Sequence, residues 1–416
     1  MIKLGRGARQ RCFSEAVVSK SPESAELYQR AFLQLIAEDK NISFHAERGR
    51  EFLYRPGQLL VGAEDQQRVI EKLRQNNIDA RPADGFAGLA RLILPNNAED
   101  IPRIVRLLRD QRNWPNERVP LVQPHHVIVG HGGLVMGNPG DRPYPTDPIS
   151  APKSDERLKD VRVGIIDTGI SSGADSEHSD WFADRYLKEA DDVDPAYSSG
   201  HMFALQGGHG TFVAGVIQNA APGVTFDPEV ALDQNGFGDE ERLCNKIAEL
   251  GKKKINLLNL SLGCFTEDDV ASEPLRRAID GLPPDVVMVA SAGNQGTQRP
   301  SWPAALCRVT AVAAAEQKRD GSVGPAWYSN WGHWVDACAI GNRASTYLKG
   351  EWQLPGEAAA TPFALWAYWY GTSFAAPLVT GRIAATMVAD GITAAQARDK
   401  LLSGPDFHPG YGVFVK

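Results

Sequence analysis

The chain has 416 residues, 43% of them hydrophobic and 23% charged, which is more than one average domain and enough for one large core plus a smaller unit. Its formal net charge of -7 supplies no basic field for nucleic acid or an anionic membrane, which argues against both as partners. Residues 1–11 are basic but lead into Cys12-Phe13-Ser14-Glu15 rather than an apolar leader core, and no long uncharged apolar run follows, so a soluble cytoplasmic protein is expected.

Residues 1–45 read as a helical extension. They are polar apart from one amphipathic helix, with Ser21 as N-cap, Pro22 at the first position, and Leu27, Ala31, Phe32, Leu35 and Ile36 on a stripe that must dock on something. From 46 to 130 the pattern changes. A strand over 58–61 precedes a helix presenting Val69, Ile70 and Leu73; strands over 78–83 and 89–94 precede a helix presenting Ile101, Ile104, Val105 and Leu108; a last strand covers 119–129. That order, βαββαβ, predicts a small ferredoxin-like α+β domain. His125, His126 and His131 have no acidic or thiolate neighbour at ligand spacing and read as solvated strand ends, not metal ligands. Residues 131–159, rich in Gly, Pro and Asp, read as a linker.

From 160 to 416, short apolar runs at 161–166, 255–260, 286–290 and 309–313 alternate with helical patterns. This is the grammar of an α/β fold, a mainly parallel sheet with helices on both faces. The cysteines (12, 244, 264, 307 and 338) are odd in number and lack CxxC spacing, so they read as free thiols. Cys307 and Cys338 are the pair a disulfide would join, but two small buried apolar side chains is the favoured reading.

Four segments carry candidate chemistry. Asp167 follows the strand over 161–166, where open α/β sheets place functional groups. His209 lies in Gly207-Gly208-His209-Gly210-Thr211, running into a helix whose Ala214 and Gly215 permit close packing. Asn294 ends Ala290-Ser291-Ala292-Gly293-Asn294, where its amide could aim at an oxyanion. Ser373 opens a helix in Gly371-Thr372-Ser373-Phe374-Ala375-Ala376-Pro377, with Gly371 read as allowing a sharp turn and Pro377 as sitting within the first turn. Each segment has an ordinary structural explanation, but together they supply a nucleophile, a base, an orienting carboxylate and an oxyanion donor.

These motifs, in the order Asp, His, Ser, resemble those of the subtilisin-like serine proteases. The resemblance covers about residues 160–416 and, more loosely, the βαββαβ unit, which looks like the family's inhibitory propeptide domain. It implies an endopeptidase with the triad Asp167, His209 and Ser373, and an oxyanion hole from the Asn294 side chain and the Ser373 backbone N–H. Asn259-Leu260-Ser261-Leu262-Gly263 resembles the strand that pairs with a peptide substrate, and Leu232 with Gly236 the opposite edge. Ser291, Ala292 and Gly293 fall at the primary pocket.

The resemblance also implies that the domain at 46–130 is an intramolecular inhibitor whose last strand runs into the cleft, with processing near His131 and Gly132. A regulatory protein partner is expected at the extension before Glu51. Small residues at Gly263, Ala292 and Gly293 favour a bulky apolar P1 side chain, whereas an inward Arg299 would favour an acidic one. Phe212 and Phe374 depart from the family pattern at packing positions. Gln218 to Val230 is too short for the calcium loop many relatives carry, so no cofactor is expected, with structural calcium elsewhere left open. The aromatic stretch before the serine, Phe363, Trp366, Tyr368, Trp369 and Tyr370, reads as a strand layer rather than a partner surface. Two rival readings remain: a silent peptide-binding or regulatory module, and a peptide ligase or esterase using the same acyl-enzyme.

Overall fold

The computed structural model describes residues 22–95, 100–130, 142–318 and 320–416. Among these, strands form three sheets.

The first sheet is antiparallel, in the order Arg81–Phe86, Leu89–Ile93, Phe52–Gly62, Val122–Gly130, with Ser43–His45 beside Phe52–Gly62. Helices Gln66–Gln75 and Ile101–Arg109 complete the βαββαβ order and bury their apolar stripes on it, Val69, Leu73, Ile104 and Leu108 meeting Leu59, Val61 and Leu92 in one core. Asp100 caps the second helix by accepting from the Arg103 N–H, and Pro102 occupies its first turn. One strand differs from the reading. The run over 78–83 begins at Arg81, because Ile78 N–H closes on the Leu73 carbonyl and Asn77 turns left-handed at φ 58° to end the helix.

The second sheet carries the fold. Its order is Thr225–Val230, Arg162–Asp167, Leu257–Leu260, Val287–Ser291, Val309–Gln317, Ala337–Ile340, all parallel, followed by Gly412–Phe414 and Phe407–His408. Side chains alternate between faces with the period of a strand. Val287 and Val289 face the helices His209–Ala220 and Thr372–Asp390, whereas Met288 and Ala290 face Glu240–Leu250 and Glu273–Asp280.

The aromatic stretch forms a third sheet. Thr361–Tyr370 pairs antiparallel with Asn342–Trp352 and, on its other side, Ala367 and Tyr368 pair with Pro145 and Tyr144. Within the expected linker, Tyr144–Pro145 is thus a two-residue strand fastened to this sheet.

Val122–Gly130 belongs to more than its own domain. Its first half pairs with Phe52–Gly62. Beyond it, Val127, Ile128 and Val129 pair antiparallel with Asp239, Gly238 and Phe237, while Val129 and Gly130 pair with Gly263 and Leu262. His125 and His126 are therefore buried rather than solvated: the Nδ1 of His126 donates to Glu240 Oε1 at 3.0 Å, and Nδ1 of His125 lies 2.8 Å from Gln58 Oε1. The third histidine of that run, His131, lies outside the described residues.

Helix Pro22–Glu38 docks on the same chain. Tyr28 stacks on Trp352 and Phe32 on Phe237, with ring centroids 6.3 and 5.1 Å apart, so the stripe offered to a partner is covered by the catalytic unit. The described cysteines are free; Cys244, Cys264 and Cys338 are buried, but Cys307 is exposed, which corrects the reading of Cys307 as a buried apolar residue.

Candidate active site

Asp167 is the last residue of Arg162–Asp167, and its backbone carbonyl accepts from the N–H groups of Ala231 and Leu232 at 3.0 and 3.1 Å. Oδ1 of its carboxylate accepts from Thr168 N–H at 2.7 Å and from His209 Nδ1 at 2.7 Å. Both side chains are fully buried. That bond fixes the imidazole as the Nδ1–H tautomer and leaves Nε2 as a base with no hydrogen-bond partner.

Two glycines make the approach of His209 feasible. Gly208, its N-cap, sits at φ 82°, and a Cβ on Gly210 would lie 2.1 Å from the Gly169 carbonyl oxygen in the turn after Asp167. Behind them Asp194 Oδ2 accepts from Thr168 Oγ1 at 2.8 Å and from Gly208 N–H at 2.9 Å, while Oδ1 accepts from Ala196 N–H at 2.8 Å. Asp194 thus ties the turn after Asp167 to the start of the histidine helix. Burial pushes its carboxyl up to about 7 against the pull of these donors. Its role was not legible from sequence, since a lone aspartate in a loop carries no signal of a buried node.

Aromatic rings hold the imidazole from the other side. Trp369 meets His209 edge-on at 5.5 Å, and Phe374 lies 5.5 Å away, itself packed on Phe212 at 4.4 Å. The two departures from the family pattern thus pack against one another, and one residue of the aromatic stretch touches the predicted base.

Ser373 is the second residue of Thr372–Asp390. Two local readings change. Gly371 has φ 162°, extended backbone open to any residue, so no sharp turn depends on it. Pro377 lies in the second turn. There its missing N–H leaves the Ser373 carbonyl without its usual i+4 donor, and Ser261 Oγ donates to that carbonyl at 2.9 Å instead. Ser373 Oγ in turn donates to the Ser261 carbonyl at 3.4 Å. The serine is thereby held by the segment expected to bind substrate.

Asn294 is oriented by the residue before the serine. Its Oδ1 accepts from Thr372 N–H and Thr372 Oγ1, both at 2.9 Å, and Thr372 Oγ1 accepts from Gly293 N–H at 3.0 Å. With Oδ1 engaged, Nδ2 projects from the opposite side of the amide. Gly293 sits at φ 103°, where a Cβ would meet Asn330 Nδ2 at 2.4 Å. Asn330 fixes this turn by donating to the Ala292 carbonyl at 2.9 Å and accepting from Gln295 N–H at 2.9 Å.

Of the expected substrate-binding residues, Leu262 and Gly263 form one rim, and Gly236 the other, its carbonyl accepting from Gly130 N–H at 2.9 Å. Leu232 lies beside Gly130, where an added Cβ would come within 3.2 Å of its Cδ1. Ser261 supports the serine helix. Ser291 ends its strand, and Ala292 packs with Ala313, Val335 and Cys338. Arg299 does not stand ready for an acidic P1. It lies over the Phe265 ring at 4.4 Å, its Nε donates to Asp269 Oδ1 at 2.9 Å, and Nη1 donates to the carbonyl and carboxylate of Glu51 at 3.0 and 3.2 Å. His131 and Gly132, the expected processing point, lie outside the described residues.

Comparison with known proteins fits this arrangement. The model of the subtilase family matches residues 158–404. The minor extracellular protease Epr of Bacillus subtilis (strain 168) is 31% identical over 218 residues, which cover 50% of this chain and 31% of Epr. A thermophilic serine proteinase of Bacillus sp. (strain AK1) is 29% identical over 265 residues, covering 61% of this chain and 58% of that protein. The chain therefore spans well under two thirds of the length of either relative. The crystal structure of fervidolysin from Fervidobacterium pennivorans, a keratinolytic enzyme related to subtilisin, superposes with a TM-score of 0.58 at 19% identity, covering 91% of this chain and 63% of that one. With the family match spanning more than half of its residues, the chain belongs to the subtilase family.

Proposed function

We propose that the chain is a serine endopeptidase whose N-terminal domain occupies its own substrate cleft. The observation that carries this reading is the 2.7 Å bond from His209 to Asp167 in a buried site beside Ser373 and Asn294. His209 Nε2 takes the Ser373 proton as Oγ attacks a peptide carbonyl, and then protonates the leaving amine. Asp167 holds the tautomer and stabilises the imidazolium. The developing oxyanion is held by Asn294 Nδ2 and the Ser373 backbone N–H at the positive end of a 19-residue helix. At rest Ser373 Oγ bonds the Ser261 carbonyl instead, so that bond is given up before His209 takes the proton.

Restraint by the N-terminal domain rests on strand Val122–Gly130. An extended segment flanked by Phe237–Asp239 on one side and Leu262–Gly263 on the other is how a peptide substrate adds a strand to two open edges. Continued by one residue, it leads toward His131 and Gly132, where we place processing. The substrate class is a peptide or protein with an apolar P1 residue, since Arg299 is engaged with two carboxylates. Among the described residues no helix is long and apolar enough to cross a membrane. A cytoplasmic location is supported by the free cysteines.

A fluorophosphonate probe tests the nucleophile. It should label the processed chain on Ser373 and spare Ser373→Ala; a chain that resists labelling after removal of residues 1–130 would instead be a binding module. Product analysis with an added amine nucleophile separates hydrolysis from ligation.

A further inference from the structure

The strand in the cleft does more than pair its backbone. Rim strand Phe237–Asp239 runs directly into helix Glu240–Leu250, with Asp239 as its N-cap, so the wall beside Val127 continues as a row of acids. The other rim, Leu262–Gly263, leads on to Glu267 and Asp268. Asp239 pairs with Arg55 at 2.9 Å, Glu241 with Arg91 at 2.6 Å, Glu267 with Arg109 at 3.4 Å, Asp268 with Arg50 at 3.7 Å, and Glu240 with His126. Among the described residues, every basic side chain paired with these acids comes from the N-terminal domain and none from the catalytic unit. Removal of that domain therefore uncovers an acidic corner at the end of the cleft.

His126 stands at its centre. Nδ1 donates to Glu240 Oε1 at 3.0 Å, the backbone N–H donates to Glu240 Oε2 at 2.8 Å, and Nε2 accepts from Glu267 N–H at 3.4 Å. An imidazole that donates from one nitrogen and accepts at the other is neutral. It brings no charge to Glu240, which is fully buried, or to Glu267, which is 3% exposed and accepts no hydrogen bond at either carboxylate oxygen. Burial raises the Glu267 carboxyl to about 7 even with Arg109 beside it. A carboxylate so placed is short of donors.

We propose, on the peptidase reading above, that Glu240 and Glu267 form an acidic subsite of the substrate cleft, which selects a lysine or arginine at the place in an incoming peptide held here by His126. An extended peptide laid along the same two rims carries its backbone past Asp239 into this corner, and strand alternation turns that residue's side chain the same way. A guanidinium brings a full charge and several donors, so it can serve two carboxylates where the neutral ring serves one. The chain's own histidine is then the weaker ligand, and a basic substrate displaces it.

The full chain, left to process itself with both pieces kept, tests this once its active sites are counted with the fluorophosphonate probe. The substrates are fluorogenic peptides copying residues 122–133, with Arg, Ala or Glu in place of His126. Per active site, kcat/KM should be about 10- to 100-fold higher for the Arg peptide than for Ala, and lowest for Glu. Salt at about 1 M should shrink that ratio. Glu267→Gln should lower the Arg-to-Ala ratio about tenfold, and Glu240→Gln likewise; the peptide series reads the preference even where a variant fails to fold. Arg and Ala peptides cut equally well by a chain that takes the probe overturn the subsite alone, whereas a chain that takes no probe overturns the peptidase reading and the subsite with it. An Arg preference undiminished in Glu267→Gln places the recognition elsewhere and also overturns the assignment.

Discussion

The central sheet and the N-terminal domain follow the same hydrophobic grammar, but only the N-terminal domain adds a rim of charged pairs where it meets the rest of the molecule. The sheet is sealed by apolar layers on both faces, and its polar side chains gather at strand ends. The N-terminal domain has an apolar core of its own, and it also lends Leu60, Phe86, Leu89 and Ile128 to the core of the catalytic unit along a seam lined with charged pairs. Arg55 pairs with Asp239 at 2.9 Å, Arg91 with Glu241 at 2.6 Å, Arg109 with Glu267 at 3.4 Å, and Arg299 reaches back to Glu51. Apolar cores make a unit permanent, whereas charged contacts lose less when water replaces them. On the proposed reading, the contrast is that of a body and a removable part.

The largest expected effect falls on the body. Ser373→Ala should lower peptide hydrolysis by about 10⁴-fold or more while leaving the urea unfolding midpoint unchanged. Undiminished hydrolysis would end the assignment. Asn294→Ala should lower kcat by roughly 10² to 10³ with little change in KM; a loss confined to KM would make Asn294 a binding residue only.

The joint comes next. Glu240 is buried, and its carboxylate receives the His126 N–H and side chain, Gln123 Nε2 at 3.1 Å and Ser272 Oγ at 2.5 Å. Removing a buried carboxylate leaves each of its donors unsatisfied, at about 1–3 kcal/mol apiece. Glu240→Ala should therefore weaken docking of the N-terminal domain by about 10²-fold or more, seen as higher activity in the uncleaved chain. An unchanged latent state would show that the strand alone holds the cleft.

A smaller effect is pH-dependent. The carboxyl of Asp194 is raised to about 7 by burial, so the folded state holds a proton that the unfolded chain releases near the usual carboxylate range. Its stabilising contribution is present below about pH 4 and lost as pH rises through about 7. Urea midpoints of the Ser373→Ala chain between pH 4 and 8 should carry this decline, flattened in Asp194→Asn; an identical slope in both would assign it to other groups. Smallest of all, Arg299→Ala should raise uncleaved-chain activity only a few-fold, because Asp269 and Glu51 are both partly solvated.

Much of the body was readable because its constraints are local. Asp167, His209, Asn294 and Ser373 each sit where a strand ends or a helix starts, and the flanking glycines and alanines announce close approach. The joint was readable only in part: the resemblance implied a last strand running into the cleft, but its side-chain partners are far apart in the chain. Nothing near His125 or His126 points to Gln58 or Glu240, so solvated ends was the reasonable local reading and the wrong one. Pro377 misled for a related reason. Its place in the helix was one turn later than expected, and the carbonyl it frees is used by Ser261, 112 positions away. Thr372 was the nearest miss, adjacent to the serine and indistinguishable by type from an ordinary helix-start residue.

Strand Val122–Gly130 is held at once by its own domain and by two edges of the catalytic unit, and this has a consequence for concentration. While the chain is continuous, the segment in the cleft is tethered, and its local concentration is on the order of millimolar whatever the amount of protein. Once the backbone is cut beyond Gly130, the same contacts hold a separate molecule whose occupancy falls on dilution. On the proposed reading, a single cleavage thereby turns a fixed restraint into one that the volume of the surroundings can undo.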